Sequence, residues 1–510
     1  MGKDTGFLEF DKESPPMRPV DERVRDYKEF DTFLSEDQLQ RQASRCMDCG
    51  IPFCHMGCPL GNMIPDWNDL VYRGRWKEAL AVLHSTNNFP EFTGRICPAP
   101  CEDTCVLNEH YTLDNAEKQQ KVNVVTIEEI EKHIAERGWN EGWIKPQLPE
   151  NFSGKSIAVV GSGPAGIAAA QQLRRAGHAV TVFEKDDRIG GLLVYGIPDF
   201  KLDKKLVFRR VEQLRKEGVE FRTGVHVGAD FSVKELRDSF DAILLAIGAQ
   251  HSRQLLVEGS ALEGVYNAMH YLSQRNREVA GDYIPEEEKI DPAEKIAVIL
   301  GGGFTAADCL GNLTRQGADP HIHQFELVDM VPRMTPVHKE ANPDCRANIL
   351  TEKIISDEAG RVKALQGISV EWELEAKRHS SSDRMMKRVV GSEFSVPTDM
   401  VFLALGFLGP KIEGLIDGLG VDLKVRGEDK PCSPVQVKKL LEKAQPIFEI
   451  FADNNFLTSE DGVFVAGDAH RGASLVVWAI WEGREAARCI DKYLMGITNL
   501  PATPQAEVMI

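Results

Sequence analysis

Cys46, Cys49, Cys54 and Cys58 fall within one short stretch, RCMDCGIPFCHMGCP, and Cys97, Cys101 and Cys105 follow in another. Seven of the 11 cysteines thus lie between residues 46 and 105, whereas Cys309, Cys345, Cys432 and Cys489 are scattered. Thiols clustered this way, in a chain without a secretion signal, argue for metal rather than for disulfides. Structural zinc usually takes two C-x2-C pairs separated by a loop and closes a tetrahedron. Here the spacing is C-x2-C-x4-C-x3-C, then C-x3-C-x3-C, which favours iron–sulfur clusters. Seven thiolates exceed the needs of one four-iron cluster and fall one short of two, so a pair of 4Fe-4S clusters requires a further, non-cysteine ligand. The four scattered cysteines have no close cysteine partner and read as ordinary buried thiols.

Two copies of strand, glycine turn, helix and strand supply the other candidate sites. In SIAVVGSGPAGIAAAQQLRRAGHAVTVFEK (156–185), Gly161, Gly163 and Gly166 complete G-x-G-x-x-G after an apolar strand, with Pro164 and Ala165 opening an alanine-rich helix. The first glycine permits the turn, the second lets a pyrophosphate approach the backbone, and the third lets helix pack on strand. Phosphate then meets the helix N-terminus. Glu184, followed by Lys185, ends the second strand where a carboxylate binds ribose hydroxyls. KIAVILGGGFTAADCLGNLTRQGADPHIHQFE (295–326) repeats the pattern with Gly301, Gly303, Thr305 and Ala306, and Glu326 ends its second strand. A carboxylate there repels a 2′-phosphate, which favours NADH over NADPH, and HIHQFELVDM contains no Lys or Arg. A third stretch, DGVFVAGDAHRGASLVVWAIWEGREAA (461–487), assigns flavin to the first copy. It reads as a strand ending in Gly467 and Asp468, a small-residue loop and a helix. Asp468 either accepts from a ribityl hydroxyl or caps a helix, and the backbone N–H groups of Ser474, Leu475 and Val476 can meet the electron-rich edge of a reduced isoalloxazine.

The texture of the chain indicates which elements hold these residues. Residues 1 to about 145 are rich in helix formers and read as a small, metal-knitted helical domain with the cysteine loops between its helices. IKPQLPENFSGK (144–155) carries two prolines and a glycine, a linker signal. From Ser156 short β-branched strands alternate with amphipathic helices, the pattern of parallel α/β sheets. IPEEEKIDPAEK (284–295) reads as a solvated loop, and residues 424–455 as an inserted excursion. The 510 residues allow three or four domains. No apolar run approaches the ~20 residues of a membrane span, and the N-terminus lacks the features of a secretion signal, so a cytoplasmic protein with no membrane partner is expected. With 60 Lys and Arg against 78 Asp and Glu, the net charge of −18 and the lack of a basic patch exclude nucleic acid as a partner.

With these motifs in place, the chain resembles the two-dinucleotide-binding-domain flavoproteins, in which an NAD(P) domain is inserted into an FAD domain. FDAILLAIGA (240–249), with Ala246 and Gly248, and DMVFLALGF (399–407), with Gly406, look like the crossover strands of that fold. The expected fold class is α/β: an N-terminal helical iron–sulfur domain (1–150), then an FAD domain in two parts (151–255 and 405–510) around an NAD(P)H domain (256–404). Disulfide reductases of this fold keep a cysteine pair beside the flavin. This chain has no cysteine from 106 to 308 and no C-x-x-C in the inserted domain, so its electrons are expected to leave through the N-terminal cysteines.

More specifically, RCMDCGIPFCHMGCPLGNMIPDWNDLVYRGRWKEAL, NNFPEFTGRICPAPCEDTCVL and GDAHRGASLVVWAIWEGR resemble the small (β) subunit of glutamate synthase, a module also found in dihydropyrimidine dehydrogenase. The likeness runs over nearly the whole chain. It implies that Cys46, Cys49, Cys54 and Cys105 share one cluster, and that Cys58, Cys97 and Cys101 hold the other with Glu131 of VTIEEIEKHI. It also implies that Gly191, Leu192 and Pro198 of GGLLVYGIPDFKL line the FAD, and Val227 joins them as a candidate contact. Two departures stand out: Phe304 replaces the acid of the family's GGGDTA, and the segment after Glu326 lacks the arginines that many members use for NADPH. The implied function is electron input. Nicotinamide gives a hydride to FAD, and single electrons pass through two clusters to a large synthase subunit that makes glutamate from glutamine and 2-oxoglutarate. No side chain need act as general acid or base, so none is named catalytic. Phe304 and the 424–455 stretch keep two rival readings in view: another redox partner, such as a ferredoxin-linked, sulfur-metabolism or hydrogenase complex, and a non-enzymatic scaffold.

Overall fold

Two apolar segments, SIAVV and AVIL, form the central strands of two five-stranded parallel sheets in the computed structural model, which describes residues 2–108, 123–329, 335–374 and 384–503. In the first sheet Ser156–Val160 lies between Ala179–Glu184 and Ala242–Leu245, with Glu220–Thr223 and Val463–Val465 at the edges. In the second, Ala297–Leu300 lies between His323–Phe325 and Met400–Leu403, with Asp344–Arg346 and Val265–Asn267 at the edges. Strands covered on both faces need continuous apolar runs, and AILL and MVFL are buried at every position. All strands of the second sheet fall, in chain order, between Ala242–Leu245 and Val463–Val465 of the first. The second unit is therefore an insertion in the first, as the α/β reading expects. A short antiparallel pair, His251–Ser252 with Phe407–Gly409, joins the two connections between the units.

The second unit also carries a four-stranded antiparallel sheet that the motif reading does not foresee, built from Ile349–Ser356, Val362–Leu374, Arg384–Arg388 and Phe394–Pro397. Much of the 424–455 excursion folds as the helix Pro434–Leu441 and the strand Phe448–Ile450, which pairs with Leu423–Val425. Phe448 and Ile450 join Leu245 and Val463 in one apolar cluster, so the excursion covers a face of the first sheet.

The N-terminal region is helical, and among its described residues no helix exceeds the 14 residues of Ile127–Asn140. Helices this short are marginal in isolation, so tertiary packing must hold them. Ser35 and Gln38 form a capping box at the start of Glu36–Ser44, while Trp67, Phe89 and Phe92 are wholly buried. Their core continues across the linker into the helices Pro164–Arg175 and Val476–Met495. Small residues allow that close approach: a Cβ on Gly483 would lie 2.2 Å from the Ala165 carbonyl oxygen. Among the described residues, no helix is long and apolar enough to cross a membrane.

Candidate functional site

The first glycine turn opens onto a cavity of about 470 Å³, within the size range of cofactor sites. Its wall includes Gly161, Gly163, Pro164, Ala165, Glu184, Lys185, Gly191, Leu192, Val227, Ala246, Gly248, Gly467 and Asp468. Gly161 has φ +105°, and a Cβ there would sit 2.3 Å from the Ala246 carbonyl oxygen; one on Gly166 would sit 2.0 Å from that of Gly161. A Cβ on Gly163 would meet nothing within 4 Å. The first and third glycines thus close the turn on its neighbours, and the second leaves the backbone open to the cavity, the division of roles a pyrophosphate site requires. Glu184 is fixed at the end of its strand by the Ser162 N–H at 3.1 Å and the Asp186 N–H at 3.0 Å. Burial pushes the Asp468 carboxyl up to about 6, although the Ser474 N–H and hydroxyl donate to it.

Of the three N–H groups expected at the flavin edge, that of Ser474 donates to the Asp468 carboxylate at 3.2 Å. Leu475 and Val476 begin the helix Val476–Met495. Gly166, Pro198, Gly406, Ser474, Leu475 and Val476 are not part of the cavity wall. Three wall or support groups are not singled out by the sequence pattern. Tyr195 lines the cavity, held by the Arg188 N–H at 2.9 Å. Asn267, Met269 and His270 reach the wall from the inserted unit. Glu482, buried in the helix behind the site, accepts from the Gly467 N–H at 2.7 Å and fixes the turn that presents Asp468. The contacts of Tyr195 and Glu482 are to backbone N–H groups of neighbouring turns, which no motif in the sequence announces.

The second glycine turn repeats the geometry away from that cavity. Gly301 has φ +127° and its Cβ would lie 2.3 Å from the Ala404 carbonyl oxygen, whereas a Cβ on Gly303 would meet nothing within 4 Å. Thr305 and Ala306 lie in the first turn of Phe304–Arg315, and Glu326 accepts from the N–H groups of Gly302 and Leu327. The Lys201 ammonium lies 5.6 Å from the Phe304 ring centroid and pairs with Asp308. Residues 330–334, beyond Glu326, lie outside the described residues.

The seven clustered cysteines divide between two small cavities. Cys46, Cys49, Cys54 and Cys105 line one; Cys58, Cys97, Cys101 and Glu131 line the other. Among the described residues, no three His, Cys, Asp or Glu side chains are grouped to hold a single metal ion. Tetrahedral zinc would gather its sulfurs at about 2.3 Å from one point, whereas each of these sets surrounds a space. Burial pushes the thiols of Cys46, Cys54 and Cys58 up to about 12, and those of Cys97 and Cys101 well above their ordinary value. Thiols so placed become thiolates only beside positive charge, which a metal group supplies. Burial likewise raises the Glu131 carboxyl to about 7; Asn87, at 2.8 Å, and Thr93 both donate to its Oε1, which leaves Oε2 for an occupant of the cavity. Both donor sets suit an iron–sulfur cluster. Of the scattered cysteines, Cys309 and Cys489 are buried as expected, but Cys345 and Cys432 are only half-buried.

Residues 23–143 match the family described as dihydropyrimidine dehydrogenase domain II, 4Fe-4S cluster, and residues 155–430 match the pyridine nucleotide-disulphide oxidoreductase family. The chain is 46% identical over 517 residues to the glutamate synthase (NADPH) small chain of Mycobacterium tuberculosis, spanning 98% of this chain and 97% of that one. It is 39% identical over 521 residues to glutamate synthase (NADH) of Schizosaccharomyces pombe, spanning 97% of this chain and 23% of that longer protein. Its fold is shared with FprA of M. tuberculosis, solved in complex with NADPH, at 18% identity and TM-score 0.51 over 67% of this chain and 85% of FprA. On a likeness that runs nearly end to end, the chain belongs to the glutamate synthase small-chain family of iron–sulfur, pyridine-nucleotide flavin oxidoreductases.

Proposed function

We propose that the chain is the electron-input subunit of a glutamate synthase. It oxidises NAD(P)H, with NADH favoured, and passes electrons to a large subunit that forms glutamate from glutamine and 2-oxoglutarate. In this reading residues 151–255 and 405–510 hold FAD, residues 256–404 hold the nicotinamide nucleotide, and residues 1–150 hold two 4Fe-4S clusters. Cys46, Cys49, Cys54 and Cys105 bind one cluster; Cys58, Cys97, Cys101 and Glu131 bind the other. When bound, flavin accepts an electron pair and the clusters carry single electrons. The chain's own residues bind and orient these groups and keep water away from them.

The observation that carries this reading is the position of one helix. Ala479 lines the large cavity and Val477, in the same turn of Val476–Met495, lines the cavity of Cys58, Cys97, Cys101 and Glu131. The two cavities are therefore neighbours across a single helical turn. Phe53–Gly57 joins the second cavity to that of Cys46, Cys49, Cys54 and Cys105, since the Cys58 N–H donates to the Cys54 carbonyl at 3.1 Å. Around this outer cavity Ile51, Phe53, Met56 and Val106 are exposed, Ile51 at 67%. Exposed apolar residues grouped at one edge fit a protein partner. The S. pombe relative, in which this module is 23% of a longer glutamate synthase, supports the large subunit as that partner. Glu326 supports NADH, because its carboxylate occupies the ribose end of the second turn.

Anaerobic titration of the purified holoprotein tests the reading. NADH should bleach the flavin band and the broad iron–sulfur absorbance at lower concentration than NADPH, with about eight irons per flavin. Reduction by dithionite but by neither nucleotide would overturn it.

A further inference from the structure

Residues 16–32 close into a loop near the N-terminus. The Thr32 N–H donates to the Pro16 carbonyl at 2.9 Å, the Arg18 N–H donates to the Phe30 carbonyl at 2.9 Å, and Met17 bridges Asp31. The loop held by this base reaches into the inserted unit. Arg23, 2% exposed, lies 2.7 Å from Glu340, and Glu340 also pairs with Arg315 at 2.8 Å; the side chains of Glu340 and Arg315 are fully buried. Arg315 further donates to the Asp26 carbonyl at 3.0 Å, and Arg275 donates to the Tyr27 hydroxyl at 2.9 Å. Tyr27 and Phe30 both pack on Phe200, with ring centroids 6.5 and 6.2 Å apart. On its other side, Glu29 accepts from Arg95 at 2.8 Å and from the Asp203 N–H at 3.1 Å.

One loop therefore grips three parts of the molecule: the cysteine-bearing domain through Arg95, the flavin unit through Phe200 and Asp203, and the nucleotide unit through Arg275, Arg315 and Glu340. Otherwise the covalent connection between the last two units is thin, two strands paired over His251–Ser252 and Phe407–Gly409. Outside the loop the units are also tied by the ion pairs of Arg188 with Asp282, at 2.7 Å, Arg277 with Asp187, at 3.0 Å, and Lys201 with Asp308, and by Phe200, which packs in the core of the inserted unit. Rotation of the nucleotide unit would carry Asn267, Met269 and His270 away from the flavin cavity wall. A carboxylate buried between two guanidinium groups resists such rotation, because parting them strands charge out of water.

We propose that loop 16–32 is an interdomain clamp that positions the nucleotide unit against the flavin cavity, so that nicotinamide is delivered without rotation of that unit. The inference rests on the functional reading above for what is delivered, but not for the clamping itself. Transfer between bound groups needs reacting atoms about 3–3.5 Å apart, and a displacement of about 1 Å can cost on the order of 100-fold in rate.

Two variants of the holoprotein test it. In one, residues 18–30 are replaced by a short Gly-Ser bridge, which the hydrogen bond between Pro16 and Thr32 makes feasible. The other combines Arg23→Met with Tyr27→Ala, and Arg23→Lys alone serves as the conservative control. Amide hydrogen exchange at His251–Ser252, Phe407–Gly409 and Ala268–Val279 should accelerate at least about tenfold in both variants and little in the control. Stopped-flow reduction of the flavin by saturating NADH should slow at least about tenfold, while flavin and iron content and reduction by dithionite stay at wild-type levels. Unchanged exchange overturns the clamp, and faster exchange with an unchanged NADH rate overturns its positioning role. Should the bridged variant lose its cofactors, the point variant decides. If wild type itself is reduced by neither NADH nor NADPH, the functional reading fails and the clamp stands or falls on the exchange result alone.

Discussion

Glu131 is the one oxygen donor among the residues lining the two cysteine cavities that the proposed clusters recruit, and its pair of buried donors, Asn87 and Thr93, holds the carboxylate in place. Glu131→Ala removes a ligand from the inner set only. Iron should fall from about eight to about four per flavin, with the signal of the outer cluster retained by electron paramagnetic resonance; Cys46→Ser should remove the complementary signal. Retention of full iron in Glu131→Ala would exclude it as a ligand. Glu326 makes the second test at this scale. Near-surface like charges interact by roughly 1–2 kcal/mol, so Glu326→Ser should raise the preference for NADPH over NADH about tenfold, read as the ratio of kcat/KM values. Residues of this kind differ in how legible they are. Cysteine spacing declares its chemistry because few roles demand clustered thiols, and the glycine turns declare theirs because a Cβ would collide with backbone at Gly161 and Gly301. Glu131 is visible only by resemblance, for its donors come from residues 87 and 93. Glu482 and Tyr195 are not visible at all, since each acts through a tertiary contact to a backbone N–H.

At the scale of elements, the helix Trp76–Thr86 shows how the cysteine-bearing domain docks. His84 sits there near Glu91, Arg210, Arg175 and Arg484, contributed by four other helices. Its Nε2 is sealed from solvent without a hydrogen-bond partner, and burial, reinforced by the arginines, drives the imidazole down to about 3. A histidine lowered from its usual ~6.5 stays neutral in the fold, so its contribution is complete above pH 6.5 and is lost as pH falls toward 3. Between pH 6.5 and 5 wild type should lose roughly 1.5 kcal/mol that His84→Gln does not, seen in urea midpoints followed by tryptophan fluorescence. Equal pH slopes for the two proteins would refute this account. Elements were readable where one signal dominated: the parallel strands as apolar runs, the helix Pro164–Arg175 as alanine after glycine. The antiparallel sheet from Ile349 to Pro397 is not legible, because its period-2 alternation carries no motif, although ILTEKIIS has buried positions alternating with half-buried ones over much of its length. The excursion stands out in the sequence as a departure from the pattern, but its strands of three residues are too short to announce the sheet face they cover.

For the whole molecule, the proposed electron path depends on two domains staying pressed together, and a buried ion pair marks where they meet. Arg210 of Lys204–Glu217 makes two hydrogen bonds of 2.7 Å to Glu91 of Pro90–Ile96, with both side chains almost completely buried. Burial alone would raise the Glu91 carboxyl, but Arg210 outweighs it and holds the group below its ordinary value. The guanidinium also lies 4.8 Å from the Trp139 ring and 5.5 Å from that of Phe89, so it is held by aromatic faces as well as by charge. Glu91→Gln keeps the shape and strands the cation, which should cost about 3–5 kcal/mol at the domain boundary. NADH-dependent reduction of ferricyanide at the flavin should persist, because the flavin cavity lies on the other side of Val476–Met495, whereas NADH-dependent reduction of the clusters should slow. Replacing both partners, Glu91→Leu with Arg210→Met, should restore much of the stability, since an apolar pair of similar volume leaves no charge uncompensated. Recovery of stability and of cluster reduction together would tie electron flow to domain contact. Recovery of stability with slow cluster reduction would instead make the Arg210 charge itself part of the path, and a Glu91→Gln protein as stable and as fast as wild type would remove this pair from the account of how the domains hold.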